Sequence, residues 1–250
     1  MEYTSFGHRI IFSQLDICGR TERSPEAEEA LAALLRIAAA PVTAVAPRKV
    51  GVLEGRDGKA AAVLETLHIP FERVASAADA RDGILVVGPG AKAGSLEEAV
   101  KGGLDVLALG LSADEANALL PGLGAKKCGK REYPATSEGL LRQPVFRGVS
   151  NADLQWLYPS QMEGLARFGD DMLAARQIGN GHVVFSSIVP WAYDEKEIAL
   201  RHHRRRAFAL VTRLACNLGA APDDAFLDGR PVLYADQSLA DDDPYRYYRW

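Results

Sequence analysis

Residues 83–120 read GILVVGPGAKAGSLEEAVKGGLDVLALGLSADEANALL, and this stretch decides the fold. Ile84 to Val87 is strictly apolar, and Leu104 to Leu109 reads as a second strand of the same kind. A strand with one wet face alternates apolar and polar residues; these runs have no polar side, so both faces of their sheet must be covered. Each run ends in a glycine turn and is followed by helical spacing, over Ser95 to Lys101 and over Ala113 to Leu120. The same alternation holds upstream, with a strand at Lys49 to Leu53, a helix at Gly58 to His68 and a strand at Phe71 to Val74. Strands alternating with helices predict a doubly wound α/β domain with a mostly parallel sheet. Downstream, Met172 to Ile178 and His182 to Ile188 flank Gly179-Asn180-Gly181, a β-hairpin signal. A long helix over about Glu195 to Leu218 then carries Leu200, Ala207, Val211, Leu214 and Leu218 on one face and stops at Gly219. Pro121 to Leu141 has weak periodicity and reads as an irregular excursion.

The first 41 residues form a separate element. His8 to Leu15 reads as a strand; Ser24-Pro25-Glu26 opens a helix with a capping serine and a proline in its first turn. The helix carries the stripe Ala27, Leu31, Leu34, Ala38 and ends at Pro41. Gly7-His8-Arg9-Ile10-Ile11-Phe12-Ser13 matches Gly181-His182-Val183-Val184-Phe185-Ser186 with one residue inserted, and Ala40-Pro41 matches Ala221-Pro222. Two explanations stand: a chance likeness of apolar strands, or an incomplete internal repeat. The expected organisation is a strand-helix element at 1–41, from a preceding similar domain or added to the sheet, an α/β domain at 48–220 and an aromatic tail at 221–250.

Composition narrows the function classes. In 250 residues, 48% hydrophobic and 25% charged are ordinary globular values. A net charge of -4 argues against nucleic acid as a partner. The three cysteines, Cys18, Cys128 and Cys216, are far apart and form no C-x-x-C pair, so neither a disulfide framework nor a metal site follows. Cys18 and Cys216 are expected to pack as small apolar side chains. No apolar run is long enough for a bilayer, which gives no membrane partner, and residues 1–5 lack the basic flank of a secretory signal. The expected setting is cytoplasmic, unless the chain is a piece of an exported protein.

Several clusters are candidates for chemistry. Gly88-Pro89-Gly90, with Gly94 beyond it, is either a tight turn or an anion cradle in a small-ligand sensor. Ser112 begins Ser-x-x-Glu with Glu115, a capping box, and is also the one weak candidate for a catalytic nucleophile. Ser150-Asn151-Ala152-Asp153 is a second capping pattern. Alternatively Asn151, Asp153 and Trp156, extended by Trp191 and Tyr193, form the polar and aromatic surface that sugars use. The basic run Arg201-His202-His203-Arg204-Arg205-Arg206 reads as a solvated helix face, with His203 or Arg204 turned inward and paired with a carboxylate. Asp241-Asp242-Asp243 and the aromatics Tyr245, Tyr247, Tyr248 and Trp250 read as a tail that docks on the domain or on a neighbour. No cofactor is implied.

The strand, glycine turn and helix of residues 104–120, with the terminal hairpin and helix, resemble the class I glutamine amidotransferase-like fold, a flavodoxin-like layered domain. Phe146-Arg147-Gly148-Val149-Ser150-Asn151-Ala152-Asp153-Leu154, the Arg-rich last helix closing on Asn217-Leu218-Gly219, and Asp242-Asp243-Pro244-Tyr245-Arg246-Tyr247-Tyr248-Arg249-Trp250 resemble C-terminal regions of bacterial glycoside hydrolase and β-galactosidase-like proteins. Working amidotransferases place a Cys in G-x-C-x-G on the strand-to-helix turn and a later His-x-Glu. Here the turn reads Gly110-Leu111-Ser112-Ala113-Asp114 and no His-x-Glu occurs in the chain. The resemblance therefore implies a non-catalytic accessory or assembly module of a carbohydrate-active protein. Its expected partners are hydrolase domains or further copies of itself, and carbohydrate is a possible ligand. The alternatives are a hydrolase using Ser112 or another pocket, and the small-ligand sensor.

Overall fold

The computed structural model describes residues 2–5, 8–11, 24–40, 47–80, 83–121, 123–128, 143–150, 164–166 and 173–223. The chain divides into two compact units, Met1–Ala46 and Pro47–Trp250.

In the first unit, β1 (Glu2–Ser5) and β2 (His8–Ile11) form an antiparallel hairpin with Ser5 opposite His8. Helix α1 (Pro25–Ala39) starts as the sequence predicts. The Ser24 hydroxyl accepts the Ala27 N–H at 3.3 Å, and Pro25, whose missing N–H has no helical partner to lose, stands in the first turn.

The second unit holds a six-stranded sheet with the order β4-β3-β5-β6-β10-β9. Its strands are β3 (Val50–Leu53), β4 (Glu72–Arg73), β5 (Ile84–Val87), β6 (Asp105–Leu109), β9 (Leu173–Ile178) and β10 (Gly181–Ser186). All neighbours are parallel except β9 and β10, the predicted hairpin. This is an α/β architecture, and the apolar runs account for it. Every residue of β3, β5 and β6 is buried. Helices α2 (Lys59–Thr66) and α5 (Ile198–Asn217) cover one face, where Val52, Val86, Leu107 and Val184 meet Leu64, Ala207, Val211 and Leu214. Helices α3 (Glu97–Lys101) and α4 (Ala113–Leu119) cover the other, where Leu85, Val106, Ala108 and Phe185 meet Leu96, Val100, Ala116 and Leu119. No helix among the described residues is long and apolar enough to cross a membrane.

Two expectations need correction. The stretch read as irregular contains β7 (Lys126–Cys128), which pairs antiparallel with β8 (Gly164–Ala166). Backbone pairing overrides the weak pattern of Lys126-Lys127-Cys128. Cys216 does not pack inside; it lies on the exposed side of α5, because the buried stripe takes Leu214, Ala215 and Leu218. Cys18 and the tail from residue 224 lie outside the described residues, as do Asn151, Asp153 and Trp156.

Candidate functional site

In a doubly wound sheet, ligands bind where loops leave the carboxyl ends of the strands, at the point where strand order reverses. That point lies between β3 and β5, so the loops after Leu53 and Val87 are the first place to look. The loop after Leu53 supplies Glu54, whose side chain is 3% exposed. Gly58 precedes α2 in a left-handed conformation and offers no side-chain cap. The Glu54 carboxylate replaces the cap, accepting the Ala60 N–H at 2.7 Å and the Ala61 N–H at 3.3 Å. Arg73 from β4 donates to the same carboxylate at 3.1 Å. The helix N-terminus, a natural anion site, is thus filled by an anion of the chain itself.

Glu54 also explains Gly88. A Cβ there would stand 2.9 Å from the Glu54 Cβ and 2.9 Å from the Ala60 Cβ, too close for any side chain. Gly90 has φ +75°, and its N–H donates to the Glu115 carboxylate at 2.6 Å. Glu115 lies on α4, so the amide read in the sequence as facing a bound anion faces this acid. Gly55 donates its N–H to the Pro89 carbonyl at 2.9 Å, and a Cβ on Gly90 would come within 3.2 Å of the Gly55 Cα. The two loops close on each other backbone to backbone.

Ser112 stands one loop further on, where β6 turns into α4. Its hydroxyl accepts the Glu115 N–H at 3.3 Å and donates to the Glu115 carboxylate at 2.7 Å, while the Ser112 N–H donates to that carboxylate at 2.8 Å. The capping box read from Ser-x-x-Glu is therefore present. Burial, the largest single influence, raises the Glu115 pKa, but the bonds from Gly90 and Ser112 together outweigh it and leave the carboxyl below its ordinary value. Gly110, with φ +61°, makes the sharp turn and donates to the Ser186 carbonyl at 2.8 Å. A Cβ on Gly110 would meet the Trp191 indole at 2.8 Å. Trp191, half-buried in the turn Pro190–Ala192 after β10, lies over the glycine turn that leads to Ser112.

Tyr193 does not extend a surface with Trp191. It is 3% exposed and lies against His203, ring centroids 5.9 Å apart, because the chain turns inward after Pro190 to meet α5. His203 is the member of the basic run that enters the core. Burial and the positive neighbours His202 and Arg206 push its pKa down to about 4, so it is neutral near pH 7. Arg204 pairs with the Glu195 carboxylate and stacks on Phe208 at 5.5 Å.

The opposite end of the sheet holds a cluster absent from the sequence reading. Asp105, the lone acid of β6, is 8% exposed. It binds the Arg48 guanidinium through one oxygen and, through the other, the His182 N–H at 2.7 Å and the His182 ring at 3.0 Å. Arg48 also donates to the carbonyls of Gly83 at 2.7 Å, Gly103 at 3.3 Å and Leu218 at 3.3 Å. An Asp beside a His suggests a catalytic pair, but these atoms tie the starts of four strands, β3, β5, β6 and β10, to the end of α5. The lone acid in an apolar strand was the available signal, because a carboxylate there needs a partner.

No protein-family model matches the chain, and no curated protein shows significant similarity to it.

Proposed function

We propose that this chain is a non-catalytic, flavodoxin-like module of the glutamine amidotransferase-like kind, serving a carbohydrate-active protein through surface contacts. The parallel strands follow the order 2-1-3-4-5 when β3, β4, β5, β6 and β10 are counted along the chain, and flavodoxin-like sheets use that order. The observation that carries the non-catalytic part is the turn after β6. A nucleophile there needs an open approach and a base within hydrogen-bond reach. The base that Ser112 meets is Glu115, a capping carboxylate whose lowered pKa makes it a poor proton acceptor, and the Trp191 indole covers Gly110 two residues away. At the switch point, Glu54 and Glu115 take the amides that a ligand would need, which weighs against the small-ligand sensor. The carbohydrate setting rests on the resemblance of residues 146–154 and 242–250.

Two assays test the proposal. With glutamine and with p-nitrophenyl acetate, the chain is expected to give only the buffer rate. Turnover that Ser112→Ala abolishes without changing the melting temperature favours the hydrolase. Titration with galactosides and plant oligosaccharides is expected to shift tryptophan fluorescence at millimolar sugar, and no shift removes carbohydrate as a direct ligand.

A further inference from the structure

The first 39 residues and the end of the α/β unit are built from the same parts in the same order. Ser5 opposes His8, with two residues between them in the chain, as Ile178 opposes Gly181. Counted from these closing pairs, Ile10-Ile11-Phe12-Ser13 stands where Val183-Val184-Phe185-Ser186 stands. Pro25, the first residue of α1, follows Ser13 by twelve positions, and Ile198, the first of α5, follows Ser186 by twelve. Ala27, Leu31, Leu34 and Ala38 then repeat the four-three-four spacing of Ala207, Val211, Leu214 and Leu218. The stripe begins two residues into α1 and nine into α5. Seven residues are about two helical turns, so the stripe keeps its angular position.

The two sets differ in what they rest on. The outer edge of β10 pairs in parallel with β6, Val183 beside Val106 through Ser186 beside Leu109, and the α5 stripe is buried on the adjoining face. Among the described residues β1 and β2 form a two-stranded sheet of their own. Of the α1 stripe only Ala27 is buried; Leu34 is half-buried, and Leu31 and Ala38 are exposed. A hairpin and one helix do not make a stable core by themselves.

We propose that residues 1–39 close a second parallel α/β sheet. That sheet belongs to a domain preceding residue 1 in the natural polypeptide: β2 pairs in parallel with its last open strand, and α1 lays its stripe on the adjoining face. The equivalent hairpin and helix of this chain show the geometry of the occupant. It is a sheet like β4-β3-β5-β6, ending in an apolar parallel strand. A second copy of this chain fits less well, because its β6 edge is already taken by β10 and its outermost strands are the two-residue β4 and the half-polar β9.

The test compares hydrogen exchange in residues 1–250 with that in the polypeptide translated from the whole reading frame containing them. The frame is expected to carry, before residue 1, a strand-helix alternation ending in an uninterrupted apolar strand. Amides of 8–11 and 25–39 are expected to exchange at least about tenfold more slowly in the longer polypeptide. Leu31→Asp with Leu34→Asp in that polypeptide returns the 8–11 rates to those of residues 1–250 and leaves 84–87 and 105–109 unchanged. A frame without such a segment, or equal rates in the two polypeptides, overturns the proposal. So does protection of 8–11 that depends on protein concentration, which marks a second copy as the occupant.

Discussion

Replacing Glu54 tests whether the switch point is filled by the chain itself. Glu54→Ala removes the acceptor of the Ala60 and Ala61 N–H groups at 2.7 and 3.3 Å and the partner of Arg73 at 3.1 Å. A hydrogen bond to a charged group contributes about 1.5–3 kcal/mol. The Arg73 side chain is 59% exposed, so its ion pair adds less than about 1 kcal/mol. Water entering the vacated space restores part of the loss, which leaves a destabilisation of about 3 kcal/mol. At about 2–4 °C per kcal/mol for a domain of this size, the melting temperature falls by about 6–12 °C. Glu54→Gln keeps the shape and one acceptor oxygen, and loses about half as much. Formate, a carboxylate small enough for the vacated position, is expected to raise the melting temperature of Glu54→Ala and not that of the unaltered chain. Thermal unfolding followed by circular dichroism measures all three. A loss below about 1 kcal/mol in Glu54→Ala refutes the capping role, and a missing formate effect refutes the anion site beneath it.

Three further outcomes follow from the geometry. The native state holds His203 at a pKa of about 4 against an ordinary 6.5, so the unfolded chain takes up the proton first as pH falls. Stability is then lost between pH 6.5 and 4, by up to about 3 kcal/mol, and His203→Gln flattens the profile; an unchanged profile in urea unfolding contradicts the buried neutral imidazole. Arg48→Met strands the Asp105 carboxylate and is expected to lower stability by about 3 kcal/mol, with a urea midpoint near that of the unaltered chain as the contrary result. Ser112→Ala removes one half of the capping box and is expected to lower stability by about 1 kcal/mol, read from the same unfolding curves.

The sheet was legible because β3, β5 and β6 are apolar on both faces, a pattern that few other structures permit. Their boundaries agree with the reading to within a residue. Ser112 and Ser24 were legible as caps because the partner lies three positions away. What was hidden depends on distance along the chain. Arg48 and Asp105 are separated by 57 positions, and Asp105 and His182 by 77, so no local spacing announces them. Glu54 caps a helix from six positions before Ala60, outside any usual capping pattern. Gly88 reads as part of a tight turn or of an anion cradle, and what its missing side chain makes room for is Glu54, 34 positions earlier. Tyr193 reads as a surface aromatic from its place just past the last strand, yet its burial against His203 is decided by α5.

The turn after β6 is proposed to perform no catalysis. The most direct test is steady-state hydrolysis of glutamine and p-nitrophenyl acetate by the unaltered chain beside Ser112→Ala. Both proteins are expected to give the buffer rate alone. Turnover by the unaltered chain that disappears in a fully folded Ser112→Ala would contradict the account.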